Sequence, residues 1–180
     1  MENGNGGANP AAKPVLDDDT LAFAVRVFGY ARGGYTRELA ELLGMGLPAN
    51  LRNEKGDSLL MLASYHGHPD TVRVLLDHGG DPELPNDRGQ MPLAAAAFKG
   101  DMGVVHLLLE RGASVDGRGE GGRTALMVAA MFDRAEIVDL LLARGADPHL
   151  RDGTGLTARD AAERMGAAST PDLLARAERR

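Results

Sequence analysis

Neither cysteine nor tryptophan occurs in these 180 residues, and lysine appears only as Lys13, Lys55 and Lys99, against seventeen arginines. Without cysteine there is no disulfide framework, no thiolate nucleophile and no cysteine-bound metal, a composition that suits a reducing cytoplasm. The formal charge is −6 and no basic run appears before the last few residues, which argues against nucleic acid as the partner. No apolar run approaches the roughly 18 residues that a membrane-spanning helix needs, so the expectation is a soluble, cytoplasmic protein with no membrane partner. Serine is also sparse: Ser58, Ser64, Ser114 and Ser169 are the whole set, and none lies in a G-x-S-x-G turn. Nothing assembles a nucleophile with its base, so no enzyme activity and no cofactor are expected.

What is present is enough apolar residue, 43% of the chain, to give one domain a real core. The first sixteen residues, "MENGNGGANPAAKPVL", are rich in Gly, Asn, Pro and Ala and lack the basic start and apolar stretch of a secretion signal. They are expected to form a disordered tail over 1–16, followed by a folded domain over 17–180.

That domain is periodic. Gly56, Gly89, Gly122 and Gly155 stand 33 residues apart, and the same step carries Ala63 onto Ala96, Ala129 and Ala162. It also carries Leu75 onto Leu108, Leu141 and Leu174, Leu76 onto Leu109 and Leu142, and Gly79 onto Gly112 and Gly145. A step backwards lands on Gly34, Leu39, Leu42, Leu43 and Gly46. The chain therefore divides into five units, near 20–52, 53–85, 86–118, 119–151 and 152–180. Each reads as two short helices and a connector: in the second, "SLLMLASYH" and "DTVRVLLDHG" have helical apolar spacing, Pro69 suits a first turn and Gly79 a left-handed cap. His78, Arg111 and Arg144 precede the capping glycines, where a cation complements the negative helix end. Helices of about nine residues cannot bury their faces alone, but a stack of them can.

The 33-residue period, the pattern "NDRGQMPLAAAAFKGDMGVVHLLLERGA" and its echoes "NEKGDSLLMLASYHGHPDTVRVLLDHGG" and "EGGRTALMVAAMFDRAEIVDLLLARGA" resemble ankyrin repeats, of the kind found in bacterial single-module proteins. The resemblance covers about residues 20 to 180 and implies an all-α solenoid of stacked helix-turn-helix units with extended finger loops. The family's T-P-L-H tetrapeptide is nowhere intact: its places hold "SLLM", "MPLA", "TALM" and "TARD". Its hydrogen bonds are thus only partly available, and apolar packing is expected to brace the stack instead. Terminal units of a solenoid need polar outer faces. The last supplies Arg159, Asp160 and Glu163, with a second helix restarting at Thr170. The first should begin with a helix capped by Asp17, Asp18 or Asp19.

The resemblance also implies where function sits. Tyr65, Phe98 and Met131 form one column, and His66, Lys99 and Phe132 the next, at the end of each unit's first helix. In the family such columns, with the finger residues, resemble the concave face that recognises a protein partner. The finger residues here are Lys55, Asp57, Arg88, Gln90 and Arg123. The same side chains could instead fold down and fill space between repeats. The resulting expectation is non-catalytic protein recognition by a monomer, a scaffold or regulator of an unidentified protein in a GC-rich bacterial source.

Two rival sites are weaker. "GRGEGG", with Gly117, Gly119 and Gly122 in G-x-G-x-x-G spacing, could be a nucleotide loop, but it follows a helix end and a connector, whereas a dinucleotide loop follows a buried strand. Its extra glycines should make it the loosest finger. His66 and His68 form an H-x-H pair, but the register brings no third or fourth metal ligand near them, and the resemblance makes His68 the common histidine before a second helix. Self-assembly through an exposed end of the stack is the remaining alternative.

Overall fold

The computed structural model describes residues 17–119 and 121–179; the expected disordered tail at 1–16 and the finger residue Glu120 lie outside them. Ten helices alternate along the chain: α1 (Asp18–Gly33), α2 (Thr36–Gly44), α3 (Leu59–His66), α4 (Pro69–Asp77), α5 (Pro92–Lys99), α6 (Met102–Glu110), α7 (Ala125–Met131), α8 (Ala135–Ala143), α9 (Ala158–Met165) and α10 (Thr170–Ala177). Among the described residues there is no strand beyond one isolated antiparallel bridge, Arg52 to Ser58, at the base of a finger. The odd-numbered helices pack in one row and the even-numbered helices in a second, with each helix touching the next of its own row. The result is an all-α solenoid of five helix pairs.

Small side chains let the first row approach closely. Ala63, Ala96, Ala129 and Ala162 are fully buried, as are Ala31, Ser64, Ala97 and Ala130 in the adjoining column. Leu75, Leu108, Leu141 and Leu174, with Leu39 in the Val72 column, close the space between rows, each with no exposed surface. At about 25 cal/mol per Å² the burial of these leucines and alanines stabilises both the helix pair of each unit and its contact with the next.

Local chemistry sets the helix ends. Ser58, Thr124 and Thr157 cap α3, α7 and α9 through their hydroxyls, and Thr157 forms a full capping box with Asp160. At the fourth place, Met91 has no capping group and Pro92 starts α5 instead. Asp17 caps α1 by accepting from Thr20 N, 2.7 Å away. After the second helices, Gly46, Gly79, Gly112 and Gly145 all have positive φ, as the sequence implies. The cations before them reach sideways as well: Arg111 pairs with Asp77 of the preceding unit, and Arg144 donates to His106.

Three expectations need correction. The stack is not braced by apolar packing alone. Asn50, Glu83 and Asp116, spaced by 33, accept hydrogen bonds from the backbone N–H of Asp81, Ser114 and Asp147 in the next unit, at 2.8, 3.0 and 3.1 Å. His68 Nε2 meets the Arg32 carbonyl at 2.8 Å, and Arg134 donates to the Phe98 carbonyl, each binding a second helix to the preceding unit's first helix. The two ends also differ. The C-terminal unit is polar outside, but the N-terminal end exposes Leu21, Phe23, Val25, Tyr35 and Met45. The cause is the length of α1, sixteen residues, whose buried side chains Val27, Phe28 and Ala31 all lie in its second half. Third, α7 stops at Met131, so Phe132 is its C-cap rather than a helical residue.

Beyond Phe132 the turn is made by Asp133, at φ 53°, in a column otherwise filled by Gly34, Gly67, Gly100 and Gly166. This left-handed conformation costs a side chain of the order of 1 kcal/mol or more. Asp133 has a compensating role: its carboxylate accepts from Ser169 N at 2.9 Å and Thr170 N at 3.0 Å, satisfying the start of α10, whose own Ser169 makes no side-chain cap. Hydrogen bonds from the Ser169 and Thr170 amides hold the Asp133 carboxyl below its ordinary value.

Two tests follow from this packing. Ser64 is completely buried and its hydroxyl has no partner among the described residues, while Ala31, Ala97 and Ala130 fill the same column. Ser64→Ala should therefore stabilise the protein by about 1 kcal/mol, read as a raised urea midpoint, because a stranded buried hydroxyl is removed; a lowered midpoint would contradict the packing. Because the folded-state pKa of Asp133 is depressed, its contribution is complete above the ordinary carboxylate value, about 4, and is lost as pH falls through the lower folded value. The Ser169 and Thr170 amide resonances should titrate with a midpoint below that value, and a midpoint at or above it would show that the cross-unit cap is not formed.

Candidate partner-binding groove

The odd-numbered helices form a floor and the finger loops a wall, enclosing a groove of about 880 Å³ along units two to five. At the end of each first helix the backbone turns through a left-handed residue, which leaves the preceding side chains projecting beside the floor. Tyr65 and Phe98 stack with ring centroids 5.4 Å apart and planes 12° apart, and Phe98 meets Phe132 edge-on at 4.6 Å. The three rings thus form one continuous column across three units, stabilised ring on ring by about 0.5–1.5 kcal/mol per contact.

The alternatives of recognition and space-filling are not exclusive in this geometry. Phe98 is half-buried between its neighbours, while Tyr65 and Phe132 retain 45% and 38% of their surface. Met61, Met91 and Met131 complete the floor with soft, adaptable thioethers. His66 lines the groove beside Tyr65; burial, then His68, Lys99 and Arg32, push its pKa below the ordinary value, so it is neutral at pH 7.

The wall is held by asparagine or aspartate at the base of three fingers. Asn53 Oδ1 accepts from Lys55 N and Asp57 N, Asn86 Oδ1 from Arg88 N and Gln90 N, and Asp152 Oδ1 from Thr154 N and Leu156 N. These are Asx turns, in which a side chain replaces the backbone acceptor. They also run from finger to finger: Asn86 Nδ2 donates to Asp57 Oδ1 at 2.7 Å and to Gln90 Oε1 at 2.9 Å. At the far end Arg123 Nε lies 3.6 Å from Asp152 Oδ2. Burial raises the Asp152 pKa, but hydrogen bonds from Thr154 and Leu156 and the charge of Arg123 outweigh it, leaving the carboxyl below its ordinary value and ionised.

Of the eleven residues singled out from the sequence, the groove brings together Tyr65, His66, Phe98, Met131, Phe132, Lys55, Asp57, Arg88, Gln90 and Arg123. Lys99 is exposed at the end of α5 but does not line the groove. Asp57 is only 8% exposed and its carboxylate is occupied by Asn53 and Asn86, so its part is to hold the wall. The bracing residues Asn53, Asn86 and Asp152 were missed; their common 33-residue column beside the finger glycines was the available signal.

"GRGEGG" is built differently from a phosphate loop. It is separated from α6 by a turn, and the N-terminus of α7 is already capped by Thr124. Gly119 stands where Asn53, Asn86 and Asp152 brace the other fingers, so this finger has no Asx turn of that kind. A β-carbon at Gly119 would collide with the carbonyl of Gly89, and Gly153 N donates to the Gly121 carbonyl at 2.8 Å. The extra glycines therefore allow adjacent fingers to touch backbone to backbone. Of the histidine pair, His68 is engaged by the Arg32 carbonyl while His66 lines the groove, and no group of three metal-ligating side chains occurs among the described residues.

A family model for ankyrin repeats in three copies matches residues 27–118 and 60–152. The chain belongs to the ankyrin-repeat family. It is also 60% identical over 62 residues to a Pseudomonas aeruginosa protein named for its ankyrin repeats; the match covers 34% of this chain and 36% of that relative. Ankyrin repeats are in general protein-interaction modules. No helix among the described residues is long and apolar enough to cross a membrane.

Proposed function

We propose that this ankyrin-repeat protein is a non-catalytic recognition module that binds a partner protein in the groove between its first helices and its fingers, and thereby regulates it. The observation that carries the reading is the column Tyr65, Phe98 and Phe132, part-exposed and pre-stacked on a rigid floor. Aromatic anchors inside a polar rim are the usual centre of a protein interface, and rings already ordered by one another lose little freedom on binding. The bacterial relative and the cysteine-free composition support a bacterial, cytoplasmic setting. In the first reading the protein is a monomer. The exposed end at Leu21, Val25 and Met45 favours a second reading, self-association.

The test is capture from a bacterial lysate by the intact protein and by a variant carrying Tyr65→Ala, Phe98→Ala and Phe132→Ala, with circular dichroism to show that both are folded and light scattering to report their mass. A monomer whose capture falls at least about tenfold in the folded variant supports groove recognition, since hot-spot aromatics contribute about 2 kcal/mol or more. Equal capture by both proteins sinks it, and a mass that rises with concentration transfers the case to self-association.

A further inference from the structure

The ionisable side chains of the groove are sorted by sign in a way the net charge conceals. The chain carries −6 overall, yet among the described residues the exposed charges lining the groove are Lys55, Arg88 and Arg123. The two carboxylates that also line it are withdrawn: Asp57 is 8% exposed and held by asparagines, and Asp152 is 9% exposed and held by Thr154, Leu156 and Arg123. His66 is neutral there. Glu54 and Asp87, one residue before Lys55 and Arg88, do not line the groove, and Asp87 is turned aside to Arg52 at 2.9 Å. Lys55 and Arg88 thus line the groove where the acids that precede them do not.

We infer that the occupant of the groove is an extended acidic peptide segment, with aspartate or glutamate flanking one or more large apolar side chains. The inference rests on the recognition reading above and adds the chemistry of the partner. Lys55 and Arg88, with Arg123 beside Asp152, stand above a floor of aromatic rings and methionines and match carboxylates on one edge of the segment and apolar anchors on the other. On a chain of net charge −6, a groove lined by exposed cations steers such a segment and rejects basic competitors. Neighbouring units are spaced by about 10 Å, which makes the column roughly 20 Å long. At about 3.3 Å per residue, six or seven extended residues span it.

Anionic nucleic acid fits less well. A single strand needs open ring faces on which to stack its bases, and here the faces of Tyr65 and Phe98 are turned to each other while Phe98 is engaged by Phe132. Three cations are also few for tracking a phosphate backbone.

The experiment uses the full chain and labelled peptides of about ten residues in which Phe and Leu alternate with Glu and Asp, a second in which Lys and Arg replace the acids, and a third with Gln and Asn; a thymidine oligonucleotide serves as the nucleic-acid probe. Fluorescence anisotropy should show the acidic peptide binding at least about tenfold tighter than the other two, with the preference shrinking as salt shortens the screening length from about 10 Å to a few Å. Lys55→Glu with Arg88→Glu should erase the preference, and the Tyr65, Phe98 and Phe132 alanine variant should lose binding of every peptide. Equal or tighter binding of the neutral or basic peptide, lost in the alanine variant, overturns the acidic assignment and leaves groove recognition standing. Acidic-peptide binding that survives the alanine variant overturns groove recognition itself. Tighter binding of the oligonucleotide, or no binding of any peptide, overturns the inference.

Discussion

Close stacking of the first helices is the constraint on which everything else depends. Alanine in two adjoining columns, with Ser64 as the one hydroxyl, sets how near α3, α5, α7 and α9 approach. Only at that separation can Tyr65 reach Phe98 and Phe98 reach Phe132, since the rings stand at equivalent or nearly equivalent places on successive units. A bulkier side chain in those columns would part the helices and break the aromatic column into isolated rings. The aromatic column is therefore a consequence of core packing, not an addition to it.

Polar groups do a second job that the apolar core cannot. Leucine and alanine favour proximity but do not fix the rotation of one unit on the next. Asn50, Glu83 and Asp116 at one edge, and Asn86 with Asp57 at the other, bind backbone or side chain across the first three junctions in directed geometry. Each is worth about 1 kcal/mol in net stability. Their larger effect is to hold the finger wall at a set distance from the floor. At Gly119 the line of bracing side chains is interrupted, and direct contact of Gly119 with Gly89 replaces it.

The fold was legible because it is written several times over. A 33-residue step preserved leucine, alanine and glycine columns, so each unit corroborated the next, and the ring column could be placed from the same register. What escaped depends on side chains that meet partners 29 to 37 residues away, as Asn86 meets Asp57 and Asp133 meets Thr170. Such pairs have no local pattern. Asp133 was further hidden by standing in a glycine column, where its departure reads as an exception until the cross-unit cap is seen. The exposed N-terminal end was hidden for another reason: helical periodicity marks α1 as amphipathic but does not say that its first half extends past the neighbour that would cover it.

The groove has the attributes of a recognition site in one place: a preformed apolar floor, pre-ordered aromatic anchors and a wall whose acidic members are used internally while its cations face the opening. Its methionines offer the most direct measurement. Met61, Met91 and Met131 line the groove, whereas Met45 and Met165 are exposed elsewhere and Met102 lies in the second row of helices. With methionine methyls carbon-13 labelled and the acidic peptide added, the methyl resonances of Met61, Met91 and Met131 should shift together and saturably while those of Met45, Met102 and Met165 stay in place. Saturable shifts at Met45 or Met165 with the groove methyls unmoved would contradict the account.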